Sequence, residues 1–394
     1  MSAAPDTLIA ALVANARDHG SSIAFRERDY GIWQETSWQE ALGRVLAVAA
    51  GLEALGVKAG QAVIVVGDNR ANLYVVMLGA MMLRAFPAPI FPDVPVDQLD
   101  IYTRFGAPAV AIAEDQEQVD KLVGLRERTG RPAQIVFDDP RGLVIDRPQD
   151  VFPLDELVRT GAARLAAEPG LAESLKARAQ PDDIAVLLYS SGTTGLPKGV
   201  PLKHRNVMRG IGNAAQGGYF EPGEELFAYL PTAWVGDFVF TLSAAIALHG
   251  TINIPERQET VAHDIRAVAP TFYLAAPRAW DNMLTRIQVG MADSTPLKRR
   301  LFDWFMPRAI ALERKRLAGG EATLLERLTQ QAGEFLIYGP LKDHLGLSRV
   351  ERVFTGGEAM GEDTFLFFRA IGIHLKQFYG QTETCGLSAA QIEG

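Results

Sequence analysis

One cysteine, Cys385, stands in 394 residues. A disulfide framework within the chain is excluded, and so is a cysteine-rich metal site; the usage fits a reducing compartment. Histidine is also sparse. The six lie at 19, 204, 249, 263, 344 and 374, and no two are spaced as a metal-ligand pair. There is no basic surplus: 39 Lys and Arg face 47 Asp and Glu, for a net charge of −8. That argues against nucleic acid as a partner. Anionic ligands remain open, because a single loop or a metal ion supplies local positive charge. Long apolar runs are missing too. The stretch from Leu73 to Phe91 is broken by Arg84, Pro87 and Pro89, and reads as a buried helix, a turn and a strand rather than a membrane span. The N-terminal twenty residues have no charged start followed by an apolar core, so they do not read as a secretory signal. No Gly-x-Ser-x-Gly elbow signals a hydrolase triad.

What is present is ordinary for a globular protein: 48% hydrophobic and 22% charged residues. The length suits two or three domains, or one large α/β unit with subdivisions. Trp38 to Leu55 has helical periodicity and stops at Gly56. Residues 62–67 are β-branched and read as a buried strand, 71–84 as helix, 107–115 as strand, 117–128 as helix and 134–139 as strand. Such alternation predicts a mostly parallel sheet with helices on both faces. Residues 139–182 read as a connector with one helix near 162–178. The pattern then restarts with 183–190, and "ELFAYLP", "TFYLAAP" and "RVFTGG" read as further strands. The fold class expected is α/β, with two similar mostly parallel sheets flanked by helices. Residues 1–180 would form the first subdomain and 181–394 the second.

The densest signal is residues 187–200, "LLYSSGTTGLPKGV". Hydroxyls, glycines and a lysine follow an apolar strand, and "NVMRGIGNAA" reads as a helix that Asn206 would cap. Glycines allow close approach of a ligand. Hydroxyls and exposed amides donate to phosphate oxygens, and Lys198 adds a point charge, so the loop suits a polyphosphate. It is not a Walker A loop: Lys198 follows Pro197 and precedes Gly199, where that motif needs glycine before the lysine and Ser or Thr after it.

The string "YSSGTTGLPKGV" resembles the phosphate loop of the adenylate-forming superfamily, which comprises acyl- and aryl-CoA synthetases, adenylation domains of peptide synthetases and firefly-type luciferases. "YGQTETCG" at 379–386 resembles the second hallmark of that group, and "FTGGEAM" at 354–360 lies between them where the family has its adenine-contacting strand end. The opening module, "SWQEALGRVLAVAAGLEALGVKAGQAVIVVGDNRANLYVVMLGAM", is similar as well. "YLAAPRAWDNM" at 273–283 and the charged insert after it, about 285–335, are most like the long-chain fatty acyl-CoA synthetase branch.

The resemblance implies a reaction. A carboxylic acid, here a medium- or long-chain fatty acid, and ATP give acyl-AMP and pyrophosphate, and the acyl group then passes to coenzyme A as a thioester. A carboxylate is a poor electrophile, and joining it to AMP creates a leaving group. Negative charge spreads over the α-phosphorus oxygens, so the site needs cations and donors aimed there. By resemblance, Thr194 and Glu383 match the magnesium-associated hydroxyl and carboxylate. Ser190, Ser191, Gly192, Thr193, Gly195 and Lys198 would cradle the β- and γ-phosphates. Thr382 would contact the α-phosphate, and Gly380 and Gln381 belong to the same nucleotide motif. Tyr379 would lay its ring on adenine, and Gly356, Gly357 and Glu358 would line the adenine pocket. Gly357 would also floor the acyl tunnel.

"LPTAWVGDF" at 230–238 departs from the family pattern. Trp234 stands where long-chain enzymes commonly show histidine; it is either a wall of the acyl tunnel or a core anchor. His204 reads as a structural surface residue before it reads as support for the phosphate loop, and Cys385 as a small packed residue rather than a nucleophile. Residues 296–316 hold seven basic against two acidic side chains, with Phe302, Trp304, Phe305 and Met306 interleaved. Such a helix could rest on a membrane surface. A helix packed on the core with a solvated basic face is the preferred reading.

The family continues past this point with an aspartate that grips the ribose, a hinge, and a small C-terminal domain with a catalytic lysine. None of these has a match before Gly394. The expectation is therefore little turnover from these residues alone. Three functional readings stand: an acid–thiol ligase using ATP, magnesium and coenzyme A; an acyl-AMP ligase that loads a carrier protein; and a catalytically silent nucleotide-binding fragment. The expected location is cytoplasmic, with peripheral membrane contact through 296–316 as an addition. No residue pattern assigns an oligomeric state.

Overall fold

A computed structural model describes residues 5–143, 150–190 and 197–392. The chain forms two compact units: residues 1–223 with 228–257, and residues 224–227 with 258–394.

The first unit is built on a five-stranded parallel sheet in the spatial order Phe86–Ile90, Ala62–Val66, Val110–Ala113, Gln134–Phe137, Val151–Pro153. This is a doubly wound order, with its switch point between Ala62–Val66 and Val110–Ala113. Every residue of Ala62–Val66, Phe86–Ile90 and Val110–Ala113 is buried. That explains the continuous apolar runs: a parallel strand covered on both faces has no polar side. The Ala71–Met82 helix is buried on nearly all sides as well, so it lacks the one-sided stripe of a surface helix.

The Trp38–Ala54 helix starts with a capping box, Ser37 and Glu40 each bonding the other's backbone N–H. Against it lies the Leu154–Ala167 helix. At Gly161 an added Cβ would lie 1.7 Å from the Ala47 carbonyl oxygen, so only glycine permits this approach of the two backbones. The connector expected to hold one helix near 162–178 thus holds two, Leu154–Ala167 and Leu171–Lys176. The break falls at Pro169-Gly170, with Gly170 left-handed.

Among the elements that escaped the periodicity reading are two hairpins. Ile23–Asp29 and Ile32–Ser37 form a hairpin around Tyr30-Gly31, both with positive φ, and Thr251–Ile254 pairs in parallel with Ile23–Asp29. Their polar, half-exposed faces gave no apolar run to find. In the second, Lys198–Lys203 pairs antiparallel with Ile184–Ser190. Leu187 and Tyr189 of this hairpin join the core of the first sheet with Ile64, Phe86, Leu99 and Tyr102. The joint expected near residue 181 consequently lies inside the first unit.

The second unit carries the parallel strands Phe272–Ala275, Arg352–Thr355 and Leu375–Tyr379, followed by antiparallel Ala389–Ala390. "ELFAYLP" shrinks to the short strand Glu225–Phe227. The Pro277–Ala292, Pro296–Leu317 and Glu362–Ala370 helices also belong to this unit. Pro296–Leu317 buries Phe305, Met306, Ala309 and Leu312, the packed amphipathic arrangement preferred from sequence. Among the described residues no helix is long and apolar enough to cross a membrane.

Candidate functional site

The candidate residues fall into two groups, one in each unit. In the first, Ser190 ends one strand of the hairpin and Lys198 begins the other, and the two are register partners. Lys198 is exposed and Ser190 half-buried. Ser191, Gly192, Thr193, Thr194 and Gly195 lie outside the described residues. A hairpin is therefore the support for the glycine-rich loop. The helix beyond it starts at His204 rather than at Asn206, and no side chain caps it. His204 is buried, not on the surface. Its Nδ1 accepts the Leu8 backbone N–H at 3.3 Å, and burial pushes its pKa down to about 4. It is a neutral structural imidazole.

Trp234 sits half-buried in a turn whose neighbours are pinned. Asn69 Nδ2 donates to the Leu230 carbonyl at 2.9 Å and to Asp237 Oδ1 at 3.1 Å. The Tyr74 hydroxyl donates to the Asp237 carboxylate at 2.8 Å, and Thr232 Oγ1 donates to the Gly67 carbonyl at 3.3 Å. Asp237 and Thr232 are fully buried. Burial pushes the Asp237 carboxyl up to about 7, against the pull of its two donors. A buried polar hub therefore fixes the Trp234 turn to the end of Ala62–Val66, and sequence reasoning missed it. The available signal was the lone aspartate of "GDFVFTLSAAIAL", an acid that opens a long apolar segment.

The second group gathers at the carboxyl ends of two adjacent parallel strands. Gly356, Gly357 and Glu358 follow Arg352–Thr355, and Tyr379 ends Leu375–Tyr379. Gln377 Nε2 donates to the Glu358 carbonyl at 3.2 Å and ties the two ends together. Tyr379 is 64% exposed, its hydroxyl accepting from Gln381 Nε2 at 3.1 Å. At Gly380 an added Cβ would lie 1.9 Å from the Gly386 carbonyl oxygen, so glycine is required where the chain doubles back. Thr382–Thr384 forms a single 3-10 turn that Gln381 caps, its backbone N–H donating to Thr384 Oγ1 at 3.1 Å. The turn presents Glu383 outward, without a hydrogen bond or ion pair among the described residues. Behind it Cys385 is buried, and burial pushes its thiol up to about 11; it is a packing residue.

Exposed aromatic face, glycine-lined strand ends and a free carboxylate form an arrangement suited to a purine base with an attached phosphate. Its position is the one where open parallel sheets bind ligands, outside the carboxyl ends of the strands. Among the described residues no three or more His, Cys, Asp or Glu side chains cluster as a metal site. One free carboxylate still fits magnesium, which keeps most of its waters when phosphates supply other ligands.

Comparison with known proteins places the whole chain among relatives. Long-chain-fatty-acid–CoA ligase ACSBG1 of Mus musculus is 23% identical over 374 residues, 93% of this chain and 50% of its own length. Long-chain-fatty-acid–CoA ligase heimdall of Drosophila melanogaster is 24% identical over 367 residues, 92% of this chain and 54% of its own. The chain thus spans about half the length of the curated relatives it matches. Among solved structures, the A domain of carboxylic acid reductase from Segniliparus rugosus, in complex with AMP and a co-purified carboxylic acid, superposes with a TM-score of 0.65. It is 19% identical, covering 98% of this chain and 61% of that one. Fatty acid AMP ligase from Legionella pneumophila gives a TM-score of 0.63 at 15% identity, over 98% of this chain and 57% of that one. These likenesses establish an adenylate-forming fold. The family described as AMP-binding enzyme matches residues 12–394, and the chain belongs to it.

Proposed function

We propose that this chain is the adenylating part of an ATP-dependent acid–thiol ligase acting on a medium- or long-chain fatty acid. The observation that carries the reading is the carboxyl end of the second sheet, where Gly356–Glu358 and Tyr379 follow adjacent parallel strands and Tyr379 and Glu383 are exposed. In this reading the Tyr379 ring stacks on adenine, and Gly356, Gly357 and Glu358 line the base pocket. Gly380 and Gln381 shape the turn, and Thr382 donates to the α-phosphate. Ser190, Ser191, Gly192, Thr193, Gly195 and Lys198 hold the β- and γ-phosphates.

The fatty-acid carboxylate attacks the α-phosphorus and pyrophosphate leaves, giving acyl-AMP. A thiolate then attacks the acyl carbon and AMP leaves, giving the thioester. Magnesium, held by Thr194 and Glu383, would neutralise charge on the phosphates when bound. Donors fixed before the reaction stabilise the transition state without reorganising. By resemblance Trp234 would wall the acyl tunnel and Gly357 would floor it; Asn69, Thr232 and Asp237 pin the turn that carries Trp234. The fatty-acid–CoA ligase relatives support fatty acid as substrate and coenzyme A as acceptor. A carrier protein is the second reading for the acceptor. It is favoured by the likeness to an A-PCP didomain of carboxylic acid reductase, with a TM-score of 0.66.

The test is calorimetric titration with non-hydrolysable acyl-adenylate analogues from acetyl to palmitoyl, plus one aryl acid. Affinity should rise with chain length, because each buried methylene contributes about 0.8 kcal/mol. Binding of only short or aryl analogues would replace the substrate class. Failure of every analogue and of ATP to bind would overturn the adenylate site. Turnover with coenzyme A against a carrier protein separates the two acceptors.

A further inference from the structure

The segment after the basic helix is amphipathic in the wrong direction. Leu324–Gly333 is an α-helix, continued by the wider turn Glu334–Tyr338. On a helix of period 3.6, Leu324, Leu325, Leu328, Phe335 and Leu336 share one face. A surface helix ordinarily turns that face to the core. Here these five side chains are between 44% and 83% exposed.

Several of its polar side chains bond to the protein instead, although Arg327 and Gln331 are exposed. Glu326 pairs with Lys315 at 2.9 Å and closes a capping box with Thr323. Gln330 Nε2 donates to the Ala370 carbonyl at 3.1 Å, and Glu334 pairs with Lys342 at 2.9 Å. The helix is therefore held by its polar bonds, with only Gly333, Ile337 and Tyr338 buried. Isolated exposed leucines need no explanation, but five on one face of thirteen residues mark an interaction surface.

Charge indicates the partner. The segment's own carboxylates, Glu326 and Glu334, are already paired inward. Arg327 bonds only a backbone carbonyl, that of Ala322. On the neighbouring Pro296–Leu317 helix, Lys298, Arg299, Arg300 and Arg308 have no carboxylate partner among the described residues, and Arg308 stacks 4.1 Å over the half-exposed Trp304 ring. Within residues 296–338, five cations without a carboxylate partner among the described residues stand against two such exposed acids, Asp303 and Glu321, with exposed Asp293 and Asp343 flanking the region. In a chain of net charge −8 this region has the opposite sign.

We propose that the Leu324–Leu336 face docks the protein on an anionic lipid surface. Its leucines and Phe335 would enter the boundary between headgroups and acyl chains, while the flanking lysine and arginines meet lipid phosphates. Apolar side chains facing outward beside unpaired cations are what such an interface selects. From sequence, membrane contact was offered for residues 296–316 only as an addition to a packed helix; that helix buries Phe305, Met306, Ala309 and Leu312 and leaves Leu297 and Trp304 exposed, and the proposal here rests on the next element.

Flotation of the chain with phosphatidylcholine vesicles, with and without 30% phosphatidylglycerol, tests this. Binding is expected only with the anionic lipid, weakening as salt is raised. Leu328→Glu with Phe335→Glu should weaken it at least ~10-fold, while melting temperature and adenylate-analogue affinity stay unchanged. Arg299→Gln, Arg300→Gln and Arg308→Gln together should remove the preference for anionic lipid. Absent vesicle binding, or binding indifferent to Leu328→Glu/Phe335→Glu, overturns the proposal. So does a dimer in light scattering that those two substitutions dissociate without any vesicle binding, which would assign the face to a second copy. None of these readouts depends on which acid the enzyme activates.

Discussion

The carboxyl ends of the two parallel sheets offer the same kind of place to a ligand and are used in opposite ways. At the switch point of the first sheet, Arg70 pairs with Glu114 at 2.8 Å and with Glu27 at 3.7 Å. Glu114 also accepts the Asp68 backbone N–H at 2.6 Å, and Asn72 donates to Asp138 at 2.7 Å. Burial pushes Glu27 up to about 7 and raises Glu114 and Asp138 as well, partly opposed by Arg70 or by a hydrogen bond. The crevice is filled with the protein's own charges. At the second sheet the corresponding edge carries glycines, an exposed ring and an unpaired carboxylate. The same architecture thus uses the carboxyl end of one sheet for internal cohesion and, in the proposed reading, offers that of the other to the nucleotide. What separates them is whether the charges already have partners.

The largest break in this comparison should come from Arg70→Met. It leaves two half-buried carboxylates without their cation, and the loss should fall at or below the about 3–5 kcal/mol of a fully buried pair. Urea unfolding should show this loss, whereas calorimetry on the folded fraction should show unchanged affinity for an adenylate analogue. Tyr379→Ala should do the reverse. Analogue affinity should fall by about 1–3 kcal/mol, the worth of one base–aromatic stack, and the melting temperature should hold, because the ring is 64% exposed.

A pH series sharpens the first edge. The folded Asp237 carboxyl titrates near 7, well above its ordinary value of 3.8. Between those values the folded state binds more protons than the unfolded, so this group's contribution to stability falls as pH rises. Glu27, also near 7 and above its ordinary 4.5, acts with the same sign. Asp237→Asn should remove up to ~1.4 kcal/mol per pH unit of that slope. Melting temperatures of both proteins from pH 4 to 8 check it: they should diverge through the window and run parallel above it. The smallest effect should come from Gln377→Ala, which cuts the bond between the two strand ends of the second sheet. A net hydrogen bond contributes about 0.5–1.5 kcal/mol, so analogue affinity should fall only a few-fold.

Legibility in the sequence followed the size of the apolar signal. The strands of the first sheet were visible because burial on both faces leaves unbroken apolar runs, such as "AVIVV" at 62–66. The Ile23–Ser37 hairpin was not, because its half-exposed strands mix polar residues without a clean period, and Lys198–Lys203 alternates over only two buried residues, Val200 and Leu202, about Pro201. The open site was legible through local necessity. Gly380 has no room for a side chain, and the turn that follows must present Glu383. Such constraints act within a few residues and leave a motif. The filled site left none: Arg70, Glu27, Glu114 and Asp237 are far apart in the chain, and each alone reads as an ordinary charged residue.

By itself, then, the sequence determined the α/β class, the family resemblance and the two glycine-rich segments, because backbone geometry and burial pattern are written in neighbouring residues. Tertiary structure decided which charges neutralise one another. It seated the Trp234 turn on a buried aspartate and turned the leucines of 324–336 away from the core. Those outcomes depend on which side chains meet across long separations, and pairing of that kind has no local signature.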